Sequence, residues 1–110
     1  MLYLGIRKNK DMKKLKHSEL INGTSFHDVT IRTSINQLTN LLGEPSIEDN
    51  SGEDKVNVEW EVITEDGIVG TIYDWKEYRR LDGDDVVEFH IGGFDKSDTL
   101  TIKNKLKQLL

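Results

Sequence analysis

Apolar and polar residues alternate from Lys55 to Thr64. Val56, Val58, Trp60 and Val62 fall on one side, Asn57, Glu59 and Glu61 on the other. A period of two marks a strand with one buried face. Glu65-Asp66-Gly67 follows with hairpin chemistry, and residues 68–75 predict the returning strand. A third strand is expected over 86–91, ended by Gly92-Gly93. Elsewhere the period lengthens. Ile35, Leu38, Leu41 and Leu42 recur at helical spacing over 34–42, with Ser34 and Gln37 spaced as a capping box and Gly43 and Pro45 as a stop. Ile102, Leu106 and Leu109 predict a second helix over 97–109, with Ser97 as its N-cap. Gly23-Thr24-Ser25-Phe26 reads as a short strand ahead of the first helix, and 46–54 as an acidic loop. The expected fold is α+β: an antiparallel meander of three to four strands with helices packed on one face.

Residues 1–16 read as a basic N-terminal extension and 17–110 as a single α+β domain. Met12-Lys13-Lys14-Leu15-Lys16 resembles a translation start, which sets 1–11 outside the folded body.

Valines 56, 58 and 62 and Trp60, with Val87, Phe89 and Ile91, form the expected inward face. The middle strand offers two alternate sets. One is Ile68, Gly70 and Ile72; the other is Val69, Thr71, Tyr73 and Trp75. If Ile68 and Ile72 point to the helices, the open face gathers Glu59, Glu61, Thr71, Tyr73, Trp75, Glu88 and His90. The other register puts Tyr73 and Trp75 inside, because a one-residue slip exchanges the faces.

The chain has 110 residues, which limits it to one domain, and no cysteine, which excludes a disulfide scaffold and a cysteine-based zinc site. No apolar run is long enough to span a membrane, and the N-terminus lacks a secretory signal, so the cytoplasm is the expected compartment. The net charge of −5 is unevenly spread: residues 44–98 hold seventeen acids against five bases. Such a middle repels nucleic acid and can imitate it toward a basic partner. The plainer reading is solubilising charge.

The densest chemistry lies in Tyr73-Asp74-Trp75-Lys76-Glu77-Tyr78-Arg79-Arg80. Cations among aromatics suit a phosphate beside a stacked base. Alternatively, they neutralise Asp82, Asp84 and Asp85. Tyr73, Trp75, Lys76, Arg79 and His90 are the candidate ligand surface, with Gly92 and Gly93 allowing close backbone approach. Glu59 and Glu61 share a strand face about 7 Å apart, but nothing in the sequence sets a scissile bond between them. The histidines have no metal-binding spacing, and no nucleophile accompanies His90. The chain is therefore read as a binder without catalysis, cofactor or metal.

Several of these residues carry a resemblance. Gly43-Glu44-Pro45, Lys55-Val56, Glu59-Trp60, Asp66-Gly67, Thr71-Ile72-Tyr73-Asp74-Trp75-Lys76 and His90-Ile91-Gly92-Gly93 resemble a family of small phage and prophage accessory proteins, over about residues 23–98. Phe89 departs from the tryptophan expected there, which keeps an aromatic ring but loses the indole N–H. The resemblance implies a counter-defence role. The first expectation is sequestration of a nucleotide-derived immune signal. The alternative is an acidic inhibitor of a host defence protein, of the anti-CRISPR or anti-restriction kind. Either is compatible with a homodimer that buries an exposed aromatic face.

Overall fold

Six strands build one antiparallel sheet in a computed structural model that describes residues 12–110. They are β1 (Met12–Leu15), β2 (Ser25–Thr33), β3 (Ile47–Glu48), β4 (Val58–Thr64), β5 (Val69–Tyr73) and β6 (Val87–Gly93). The helices are α1 (Ile35–Leu42) and α2 (Lys96–Leu109), and one 3-10 turn covers Glu19–Ile21. The spatial order is β1-β4-β5-β6-β2, and β3 shares the β4 edge with β1. The α+β class stands, and the three expected meander strands are its centre.

The sheet is wider than the sequence predicts, for local reasons. β2 continues nine residues to Thr33, but its pairing with β6 slips between Phe26 and Thr30, where Asp28 takes a left-handed φ of 63°. That bulge interrupts the alternation on which a longer strand would be read. β3 has two exposed residues, too few to show a period. β1 corrects the expected 1–16 extension. Met12 is 1% exposed and Met12–Leu15 pair with Glu61–Thr64, so the folded body includes them; residues 1–11 lie outside the described residues. Its lysines disguise it, as lysine often does on an edge strand.

Both helices pack on one face. Leu38, Leu42, Ile102 and Leu106 join Val58, Trp60, Val62, Ile72, Val87, Phe89 and Ile91 in a single core. Ser34 caps α1 as expected, accepting the Gln37 N–H at 3.2 Å, while the Gln37 carboxamide takes the Thr33 hydroxyl at 2.8 Å. Gly43 ends α1 with a φ of 89°, and its carbonyl accepts the Trp60 indole N–H at 2.9 Å. α2 begins earlier than expected because Asp95, not Ser97, is the N-cap, accepting from Asp98 N–H at 2.8 Å. A carboxylate there also suits the helix dipole. Val56 departs from its expected inward place: it precedes β4 and is only half-buried.

The chain between β1 and β2 must travel from one edge of the sheet to the other. It crosses on the face that the helices leave open. There His17 Nδ1 and Ser18 N–H reach the buried Glu61 carboxylate, each at 2.6 Å. Residues 16–24 thus form a strap over the open face.

Candidate functional site

Register decides what the open face carries. Glu59 sits opposite Tyr73, Tyr73 opposite His90, and Thr71 opposite Gly92. Ile72 is fully buried against the helices, so Tyr73 faces the other way. Of the two alternate sets on the middle strand, the one with Ile72 inward is correct.

β5 ends at Tyr73, and Asp74 turns inward. Its buried carboxylate accepts Asn57 N–H at 2.8 Å, Asn57 Nδ2 at 2.9 Å and Val58 N–H at 3.0 Å. Asn57 Nδ2 also donates to the Arg79 carbonyl at 3.0 Å. This clasp anchors the start of β4 to the end of β5 and to the loop beyond. Lys76 N–H donates to the Lys55 carbonyl at 2.7 Å, and Lys76 itself is left-handed at φ 56°. The result brings two ammonium groups to Trp75: Lys55 Nζ lies 5.9 Å and Lys76 Nζ 5.6 Å from its ring centroid. Both distances are within cation–π range.

Tyr73 and Trp75 meet at 81° with centroids 6.1 Å apart. With the strap they line a half-open cleft of about 390 Å³, together with Glu59, Thr71, Gly92, Val56 and strap residues from Ile21 onward. Gly92 is required here, since a Cβ would fall 2.5 Å from Thr71 Oγ1 and 3.7 Å from the Tyr73 ring.

Glu59 is the titratable group of this pocket. Burial, and next the adjacent Glu61 carboxylate, push its carboxyl up to about 6. Burial and Glu59 together raise the Tyr73 hydroxyl. Perturbed groups in a cleft mark functional sites more often than chance. Glu61 itself is fully buried and held by the strap.

The candidate surface is therefore assembled in part. Tyr73, Trp75 and Gly92 line the pocket, and Lys76 stands at its rim beside Trp75. His90 is not a lining residue. Phe26 stacks on its ring at 4.0 Å and Trp75 at 6.0 Å, so it buttresses the tryptophan. Burial lowers its pKa, with Glu88 opposing, so the imidazole is neutral at pH 7. Arg79 is not brought in. Its guanidinium bonds Asp85 at 3.0 Å and lies 3.7 Å from Glu77, the neutralising role weighed above. Gly93 faces the opposite way, where a Cβ would meet Thr99 Cγ2 at 2.9 Å, so it serves helix packing. Adjacent strand residues point to opposite faces, and that parity alone separates Gly92 from Gly93. The strap residues were not foreseen. They carry no period and reach the site only because β1 and β2 occupy opposite edges. Glu59 was visible as one of a carboxylate pair, without the pocket that gives it a use.

The strap contact is pH-dependent. The hydrogen bond to Glu61, and then its charge, raise the His17 pKa above 6.5. A folded-state pKa above the unfolded one stabilises below the unfolded value, and that stabilisation fades as pH rises through the folded value. Melting temperatures of the parent and His17→Gln are expected to differ most below pH 6.5 and to converge as pH rises past the raised value. A gap that is constant with pH would mean that the imidazolium charge contributes nothing.

Among the described residues, no helix is long and apolar enough to cross a membrane. No family model, curated protein or solved structure matches this chain.

Proposed function

We propose that this chain is a non-catalytic binding protein that sequesters a small nucleotide-like ligand in the pocket between the strap and the Tyr73–Trp75 corner. The observation that carries the reading is a pair of orthogonal aromatic rings with two lysines at Trp75, beside a glycine that leaves the pocket open. Aromatic walls hold a base by stacking, and the ammonium groups meet a phosphate at the rim without being buried unpaired. The imidazole of His90 packs among aromatic rings, which suits a buttress for Trp75 better than a general base. The phage resemblance adds the biological setting, removal of a nucleotide-derived immune signal from the host cytoplasm.

Calorimetry with cyclic nucleotides and ADP-ribose derivatives tests this reading. Trp75 is 38% exposed, so Trp75→Ala is expected to leave the fold intact while removing stacking worth ~1–3 kcal/mol, about ten-fold or more in affinity. Lys76→Ala should weaken binding in a salt-sensitive manner. No heat with any of these compounds would reject the proposal.

A second reading, inhibition of a host defence protein by acidic mimicry, is favoured by the exposure of Glu48, Asp49, Glu53 and Asp54 on one short stretch, none of them in a salt bridge among the described residues. Salt-sensitive capture of a basic nuclease, unaffected by Trp75→Ala, would select it.

A further inference from the structure

Glu59 is an unusual group to find in a pocket for an anionic ligand. It lies opposite Tyr73 on the sheet, is half-buried, and takes no salt bridge among the described residues. Glu61, its carboxylate neighbour, is already held by His17 and Ser18. Glu59 is therefore the pocket carboxylate that the strap does not hold, and it lies within hydrogen-bond reach of the Glu61 carboxylate, a contact that a ligand's donor edge would replace. An ionised carboxylate only accepts hydrogen bonds, through two parallel oxygens. It repels acceptors and phosphate, so a ligand must turn its anionic end toward Lys55 and Lys76 and a donor edge toward Glu59.

We infer that Glu59 makes this pocket selective for a guanine-type base, whose two adjacent N–H donors pair with the two carboxylate oxygens while Tyr73 and Trp75 wall the ring. The inference rests on the pocket reading above and deepens it. Donor patterns of the bases decide the choice. Guanine offers the ring N1–H and the 2-amino group side by side. Adenine and cytosine set a ring-nitrogen acceptor next to their amino group, which faces a carboxylate unfavourably. Hypoxanthine keeps N1–H but lacks the amino group, and uracil flanks its one N–H with two carbonyl oxygens. The cleft, of about 390 Å³, is within the size range of small-molecule sites. With its pKa near 6, Glu59 is mostly carboxylate at neutral pH, the form that accepts both donors.

The test is calorimetry at neutral pH on the full chain with GMP, IMP and AMP. These share ribose and phosphate, and GMP differs from IMP only by the 2-amino group. GMP is expected to bind about ten-fold or more tighter than IMP, because a bidentate base contact discriminates at that level. Glu59→Gln should erase the preference, since a carboxamide presents one donor where the carboxylate presents an acceptor. Glu59→Asp should keep part of it. Trp75→Ala should weaken GMP and IMP in parallel and leave their ratio unchanged. Equal binding of GMP and IMP, or preference for AMP, overturns the role of Glu59 and leaves the pocket reading standing if Trp75→Ala still weakens them. Absence of binding by all three overturns this inference; the pocket reading itself falls only if the cyclic nucleotides and ADP-ribose derivatives also fail. Preference for tetramethylammonium over GMP overturns both in favour of an aromatic cation cage. If Glu59→Gln does not fold by circular dichroism, the GMP-to-IMP ratio of the parent protein and of Glu59→Asp decides the matter.

Discussion

Asp74→Ala is expected to destabilise the protein by about 3–5 kcal/mol, the scale for removing one side of a buried charged hydrogen-bond network. Asp74 is fully buried, and its carboxylate satisfies two backbone N–H groups, of Asn57 and Val58, as well as the Asn57 carboxamide. Alanine leaves all three donors in a dry site. The damage spreads, because Asn57 also accepts the Gly52 N–H at 3.1 Å and donates to the Arg79 carbonyl at 3.0 Å. One side chain thus ties together the loops on either side of the β4–β5 hairpin. Asp74→Asn, which keeps an acceptor for the backbone pair and opposes two amide groups, should cost less. Urea unfolding of both variants measures the difference. A loss under about 1 kcal/mol for Asp74→Ala would show that water replaces the carboxylate without penalty.

Phe89→Ala is the second large effect, expected at about 3–5 kcal/mol for a buried aromatic ring cut to a methyl. Phe89 is 0% exposed and meets Trp60 edge-on with centroids 6.2 Å apart. Trp60 is itself fixed by its hydrogen bond to the Gly43 carbonyl, so it cannot collapse into the cavity without breaking that bond. Chemical denaturation reads the loss as a lower midpoint at unchanged slope. Phe89 and His90 are neighbours on β6 and face opposite sides, so comparing Phe89→Ala with Trp75→Ala separates the two faces. The first variant should lose stability, the second affinity. A near-neutral Phe89→Ala would mean that the ring is not part of the core.

The regions legible in the sequence are those where a period and a terminating residue agree. α1 has Ser34 before its apolar stripe and Gly43 after it. The β4–β5 hairpin has Gly67 at φ 86° between two alternating runs. The missing elements are those whose local pattern contradicts their place. β1 looks like a basic tail because two of its four residues are lysines, and only its pairing with Glu61–Thr64 makes it a strand. β2 loses its alternation at a bulge. In the site, strand parity groups Tyr73 with Trp75 but leaves their face open, and only the burial of Ile72 against the helices decides it. Arg79 could not be placed, because counting charges does not show which carboxylate a guanidinium will choose. The pocket wall was hidden for a different reason: it depends on where two strands lie in the finished sheet.

That crossing has a consequence for the order of assembly. β1 and β2 are close in sequence but stand at opposite edges, and three strands later in the chain separate them. The strap cannot be laid down until β4, β5 and β6 have paired, because the surface it crosses does not exist before then. Contacts that wait on distant parts of the chain form late and slow folding. The segment over the pocket has few groups fastened to the sheet, chiefly His17 and Ser18 on Glu61, so it is also the part that opens at the least cost. The pocket is therefore expected to be completed last on folding and lost first on unfolding, while the meander beneath it is still intact.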